Sequence, residues 1–180
     1  MPRSIRLAVI AKRDARGQSM VEFALVAPIF FLLVFGIIQL GLVLASQNGL
    51  VDGVRDAARR AATYRINEAS FDSTVFPAIC TTIKTELSTR LANRIVGYSA
   101  SRVTSTVTYE WVADPESGQY FLVARVAAQY KNQLYVPLIS AFLDRTDGTV
   151  DNALTLSASE QMRVENPALS TPASTSAQSC

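Results

Sequence analysis

Glu22 is the single acid at the edge of a run, residues 23–44, that holds no charged residue. A carboxylate deep in a bilayer costs roughly 2.5 to 3.5 kcal/mol. Glu22 therefore calls for a partner cation, or for a place at the water interface or near a helix N-terminus. The only thiols, Cys80 and Cys180, could do different chemistry. In an oxidising compartment they can join, closing a loop of about 100 residues worth about 4 to 5 kcal/mol in the loop-closure account. The alternative is a buried Cys80 beside Ile79 and Ile83, with Cys180 free or paired between molecules. The chain has no histidine, no Cys-x-x-Cys pair and no glycine-rich phosphate loop, so the usual proton shuttle and commonest metal ligand are missing. Asp144, Asp147 and Asp151 around Gly148 faintly resemble a calcium loop, but they lack the twelve-residue order and closing Glu of an EF-hand and read better as a solvated turn. No metal, cofactor, small-molecule substrate or enzymatic activity is expected.

The element that must position Glu22 is a membrane helix. A hydrocarbon core about 30 Å thick needs roughly 20 apolar residues at about 1.5 Å each. Residues 23–44 meet that length, and sixteen of them are Leu, Ile, Val or Phe. Insertion should gain about 5 to 10 kcal/mol from these side chains. Gln39, Gly36, Gly41 and Pro28 reduce that gain without reversing it, and Pro28 should locally loosen the helix. Arg3, Arg6, Lys12, Arg13 and Arg16 precede the run against Asp14 alone. The positive-inside rule then places the N-terminus in the cytoplasm and the bulk of the chain on the other side of the membrane.

The run Arg16-Gly17-Gln18-Ser19-Met20-Val21-Glu22-Phe23-Ala24-Leu25-Val26-Ala27-Pro28, followed by Asp56-Ala57-Ala58-Arg59-Arg60-Ala61-Ala62, resembles the N-terminal region of TadE-like minor pseudopilins of the tight-adherence (Flp) pilus system. The resemblance covers about residues 16–64. Gln39 departs from it, since such proteins often carry an acid near the outer end of the span.

The resemblance implies cleavage by a prepilin peptidase between Gly17 and Gln18. A residue without a side chain suits close approach by a protease, although Gly17 alone could equally be a loop glycine. Cleavage would leave an α-amine at Gln18 with Glu22 one helical turn away, beside Phe23. That carboxylate could pair with a neighbour's new amine and set the register between subunits. The implied partners are the peptidase, other pilins and pseudopilins, the assembly platform and membrane lipid.

Small residues recur at every fourth position in the outer half of the helix: Gly41, Ala45, Gly49, Gly53, Ala57 and Ala61. Such a ridge admits a second backbone closely. It could pack on neighbouring pilins or the assembly platform, or, from Gly53 upward, on the protein's own domain. The helix should continue to about Tyr64 as a stem, where Arg55 and Arg59 are spaced to meet Asp52 and Asp56. After a loop over residues 67–74, Pro77 opens a second helix with an apolar face of Ile79, Ile83, Leu87, Leu91 and Ile95, closing near Gly97. Alternation then takes over. Val103, Ser105, Val107, Tyr109 and Trp111 share one strand face, residues 114–118 form a turn, and residues 120–129 return. A short helix over residues 136–143 and a strand over residues 154–164 complete the pattern. Tyr109, Trp111, Tyr120, Tyr130 and Tyr135 suit sheet-core packing or a contact surface. The tail from Glu165 carries too little apolar content to order itself.

These elements give an α+β fold: a long N-terminal transmembrane helix continuing into a stem, with a small extracytoplasmic, pilin-like domain of a second helix packed on an antiparallel sheet. The expected divisions are a cytoplasmic leader (1–17), the transmembrane helix (18–45), the extracytoplasmic domain (46–164) and a flexible tail (165–180). The whole chain carries 17 bases and 15 acids. Removing the leader would leave 12 and 14, and that near-neutral balance disfavours a nucleic-acid partner. The function expected from the resemblance is assembly of a tight-adherence pilus, supporting surface attachment and biofilm formation. The alternative is an unprocessed, signal-anchored periplasmic binding protein that joins no pilus.

Overall fold

A computed structural model of the protein describes residues 15–64, 75–146, 148, 150–165 and 176–180. The leader up to Asp14, the loop of residues 67–74, Asp147 and residues 166–175 of the tail lie outside the described residues. Among the described residues the fold is α+β, with one helix of membrane-spanning length, a second long helix and a four-stranded antiparallel sheet.

Helix α1, Ala15–Thr63, runs without a break through Pro28 and from the apolar stretch into the stem. Its buried positions Val43, Ser46, Leu50, Val54, Ala57 and Ala61 fall at steps of three or four, so one face of the outer half is covered. Helix α2, Val75–Arg94, lies against that face. Phe76, Cys80, Ile83, Leu87 and Leu91 are buried along it, and each fully buried aliphatic adds roughly 1.5 to 3 kcal/mol. The stop is local. Ile95 N–H still reaches Leu91 O at 2.9 Å, and Gly97 then takes φ +71°, a left-handed value that glycine adopts without a Cβ clash.

Cross-helix contacts fix the direction of α2 as antiparallel to α1: Glu86 lies by Arg60, Arg90 by Asp56, and Arg94 by Gly49. The end of α2 therefore returns toward the apolar part of α1.

Strands β1, Val103–Ala113, and β2, Tyr120–Gln133, form a hairpin in register from Val103↔Tyr130 to Ala113↔Tyr120. The turn between them is stitched by Asp114, whose Oδ2 accepts from the Ser117 hydroxyl at 2.6 Å and whose Oδ1 accepts from the Glu116 N–H at 3.1 Å. These bonds, the Ser117 hydroxyl first, hold the Asp114 carboxyl below its ordinary pKa. β2 runs four residues beyond the predicted strand. Tyr130 and Asn132 continue its buried face, and β3, Ala153–Arg163, supplies partners as far as Gln133↔Ala153. A short helix α3, Pro137–Leu143, connects β2 to β3.

The tail departs from expectation at its end, where Gln178–Ser179 form β4 on the outer edge of β1, giving the order β3-β2-β1-β4. Cys180 N–H donates to Val107 O at 3.1 Å. Order there comes from the open backbone of β1 and the Cys80–Cys180 bond, not from apolar content of the tail.

One core joins the layers. The inward face of the sheet, with Val107, Tyr109, Trp111, Leu122, Val126 and Tyr130, packs on α1 and α2. Tyr109 shows how: its ring meets the edge of Phe76 at 5.8 Å between centroids, and its hydroxyl donates to Ala61 O at 2.9 Å. Burial pushes the Tyr109 phenol pKa well above its ordinary value, with a smaller push from Tyr64.

Candidate assembly site on the N-terminal helix

Gly17 and Gln18 stand in the first turns of α1, and Glu22 and Phe23 follow within the same exposed stretch. Gln18 Nε2 donates to Glu22 Oε1 at 3.2 Å, one helical turn along. Apart from its own helix turn, no described residue comes within 4 Å of the point where a Cβ would sit on Gly17. From Gly17 to Leu33 every residue but Ala27 is exposed, so no described residue buries Leu25, Ile29, Phe30 or Leu33. This helix is long and apolar enough to cross a membrane, and none of its most apolar stretch is buried by the described residues. A soluble core helix would bury that surface.

The ridge of small residues divides. Gly49 is buried, and a Cβ there would lie 3.2 Å from Arg94 Cβ and Arg94 O. At Gly53 a Cβ would stand 2.7 Å from Leu91 Cδ2, and Ala57 and Ala61 are fully buried. Packing on the protein's own domain therefore starts at Gly49, one step earlier than Gly53. Gly41 and Ala45 are exposed, and nothing lies within 4 Å of a Cβ at Gly41.

Between the bare cylinder and the stem stands Gln39. It is only 1 % exposed despite lying in the apolar run, because its Oε1 accepts the backbone N–H of Tyr135 at 2.9 Å. One turn below, a Cβ on Gly36 would meet Ile139 Cδ1 at 3.1 Å. The sequence carried no signal for this contact, which joins a lone polar residue to a loop 96 residues away.

A family model described as TadE-like protein matches residues 17–59, from Gly17 through Glu22 and the ridge to Ala57. The N-terminal region is TadE-like. The TadE-like stretch lies on α1 alone. A single apolar helix suits a single-pass anchor in such a family. No curated protein and no solved structure matches the chain.

Beyond the exposed inner part of α1, other candidate residues are accounted for by the fold. Cys80 and Cys180 are joined as a disulfide, with Cα atoms 6.6 Å apart, within the range such a bond spans. Asp56 does not turn to a stem neighbour; it accepts from Arg90 and Arg94 of α2, each at 3.0 Å. Arg90 also donates to Glu86 at 2.8 Å, and that bond leads in raising the guanidinium pKa further. Asp144 is buried and its Oδ1 accepts the N–H groups of Asp151, at 3.0 Å, and Ala153, at 3.2 Å, while Asp151 meets Lys131 at 2.6 Å. Asp144 thus acts as a clasp for the loop before β3. Tyr109, Trp111 and Tyr130 are core residues, Tyr120 packs at its edge, and Tyr135 is 56 % exposed.

Proposed function

We propose that this protein is a minor pseudopilin of a tight-adherence pilus, held in the inner membrane by α1 and required for pilus assembly, surface attachment and biofilm formation. The observation that carries this reading is the division of α1. Its stem is committed to the protein's own core, while the inner part from Gly17 to Leu33, with Glu22 on it, is left for lipid and neighbouring helices, and the TadE-like match runs over both.

The processing step is hydrolysis of the Gly17–Gln18 amide: water adds across the bond, leaving a carboxylate on Gly17 and an amine on Gln18. Glycine weakens a helix by about 0.8 to 1 kcal/mol relative to alanine, so the first turn of α1 opens readily for a prepilin peptidase. The amine so formed is cationic and supplies what Glu22 needs in a low-dielectric setting. Pairing of Glu22 with the Gln18 amine of an adjacent subunit sets the axial register, with Phe23 packed beside it. Gly41 and Ala45, left clear by the domain, then let a neighbouring helix or the assembly platform approach closely.

N-terminal sequencing of protein from native membranes tests the reading. A chain beginning at Gln18, lost in Gly17→Arg, and loss of pili in Glu22→Ala with the protein still present, are the expected results. An uncut chain in cells that stay piliated after deletion of the protein sinks the proposal and leaves the signal-anchored periplasmic binding protein.

A further inference from the structure

We propose that residues 134–144 form a foot that lies in the outer headgroup and acyl boundary of the membrane, with phospholipid as its partner, and that this foot sets the depth of α1. The proposal rests on α1 crossing a bilayer and goes beyond it, because nothing about a single span requires the domain to touch lipid.

Three observations converge. The foot is continuous with the apolar cylinder: Ile139 reaches Gly36, and Gln39 holds Tyr135, both inside residues 23–44. Beyond α1, the described large apolar residues left exposed are Val75, Val96, Tyr135 and Val150, at 40 %, 69 %, 56 % and 81 %. Three of these four gather at the foot's end of the domain. Val96 precedes Gly97, whose Cβ position is 2.7 Å from Tyr135 Oη, and Val150 precedes Asp151, which bonds Asp144. The third observation is backbone chemistry. Leu134 N–H donates to Asn152 O, Tyr135 N–H to Gln39 Oε1, Ile139 and Ser140 N–H to Val136 O, and Asp144 N–H to Ser140 O. These backbone donors are thus matched within the protein, as a low-dielectric boundary demands, while Gln39 Nε2 beside them is buried with no partner among the described residues. Arg145, exposed directly after the foot, has a stem long enough to carry its charge back to the headgroups.

The depth follows. If residues 23–44 filled the hydrocarbon, Gly36 and the Ile139 against it would lie about 12 Å below the outer edge, close to the midplane of a core about 30 Å thick. Interfacial elements enter only about 5 to 10 Å. With the foot at the boundary, about 20 residues ending near Ile38 fill the core, beginning near Ser19. Glu22 then lies about one turn inside the inner edge, not at it, and its need for a cation is sharper.

Tryptophan quenching in vesicles tests this with the full chain. Trp111, the only tryptophan, is changed to Phe, and single reporters are placed by Val96→Trp, Tyr135→Trp, Val150→Trp, Ile29→Trp and Glu116→Trp. Phosphatidylcholine brominated near the headgroup or near the chain ends is the quencher. The expected result is strong loss of emission, shifted to shorter wavelength, for the first three with shallow bromine, for Ile29→Trp with deep bromine, and for Glu116→Trp with neither. Val96→Trp and Val150→Trp stand at open positions, so the result does not hang on Tyr135→Trp folding well. Quenching at Ile29→Trp without any at the three foot positions overturns the foot and leaves the membrane span intact. Equal quenching at Glu116→Trp also overturns it. Absence of quenching at Ile29→Trp removes the span and the foot together.

Discussion

Gln39 Oε1 and the backbone N–H of Tyr135 meet at 2.9 Å, tying the apolar helix to a loop that follows the sheet hairpin. Gln39→Leu keeps the apolar character of the helix but leaves that buried N–H without its acceptor, at a cost of about 1 to 3 kcal/mol. Unfolding in detergent should report that loss, whereas Leu40→Ala, at an exposed neighbouring position, should leave the midpoint nearly unchanged.

The two ends of the small-residue ridge should respond oppositely to bulk. Gly53→Leu drives a side chain into Leu91, already 2.7 Å from a bare Cβ, and should destabilise the domain by at least about 1 to 3 kcal/mol. Gly41→Leu meets nothing within 4 Å in the isolated chain, so thermal unfolding of the purified protein should be unaffected or slightly improved. Pilus counts on cells should nevertheless fall in Gly41→Leu. Normal piliation there would show that Gly41 faces only lipid.

Breaking the Cys80–Cys180 bond frees β4 from α2 and reopens a loop of about 100 residues, for a loss of about 2 to 5 kcal/mol. Urea unfolding of Cys180→Ser, or of the reduced protein, should show a lower midpoint. Amide exchange should quicken at Cys180 and Ser179 while β2 keeps its protection.

The Tyr109 phenol predicts an alkaline limit. Its folded pKa lies above the ordinary unfolded value of about 10. Below that value both states are protonated and the contact with Ala61 O is fully kept. As pH climbs from about 10 toward the raised folded value, the unfolded chain loses its proton first, and stability falls by up to about 1.4 kcal/mol per pH unit. Tyr109→Phe should lower stability by about 1 kcal/mol at neutral pH and flatten this decline, as denaturant midpoints across the alkaline range would show.

Local signals carried most of the fold. The uncharged run, the face from Ile79 to Ile95 and the alternation from Val103 to Trp111 each state their partner's geometry in their own spacing, and the structure places all three accordingly. Tyr130 and Asn132 extend β2 because β3 lies beside them, which Lys131-Asn132-Gln133 as a local sequence does not announce. Asp56 reaches across to Arg90 and Arg94 instead of along its own helix, a choice made by the return of α2. The seat of Gln39 and the strand at Gln178–Ser179 have the same origin, since each is a single contact across a long loop with no period to betray it. Gly17 and Glu22 were legible as residues, but among the described residues only the Gln18 side chain bonds Glu22, so the fold by itself assigns neither a role.

The apolar stretch and the stem that lines the domain core are one unbroken rod from Ala15 to Thr63. No hinge segment separates them to absorb displacement. A push delivered at the inner end would therefore travel as a piston stroke into the outer domain without slack, and tilting the rod would swing the sheet with it.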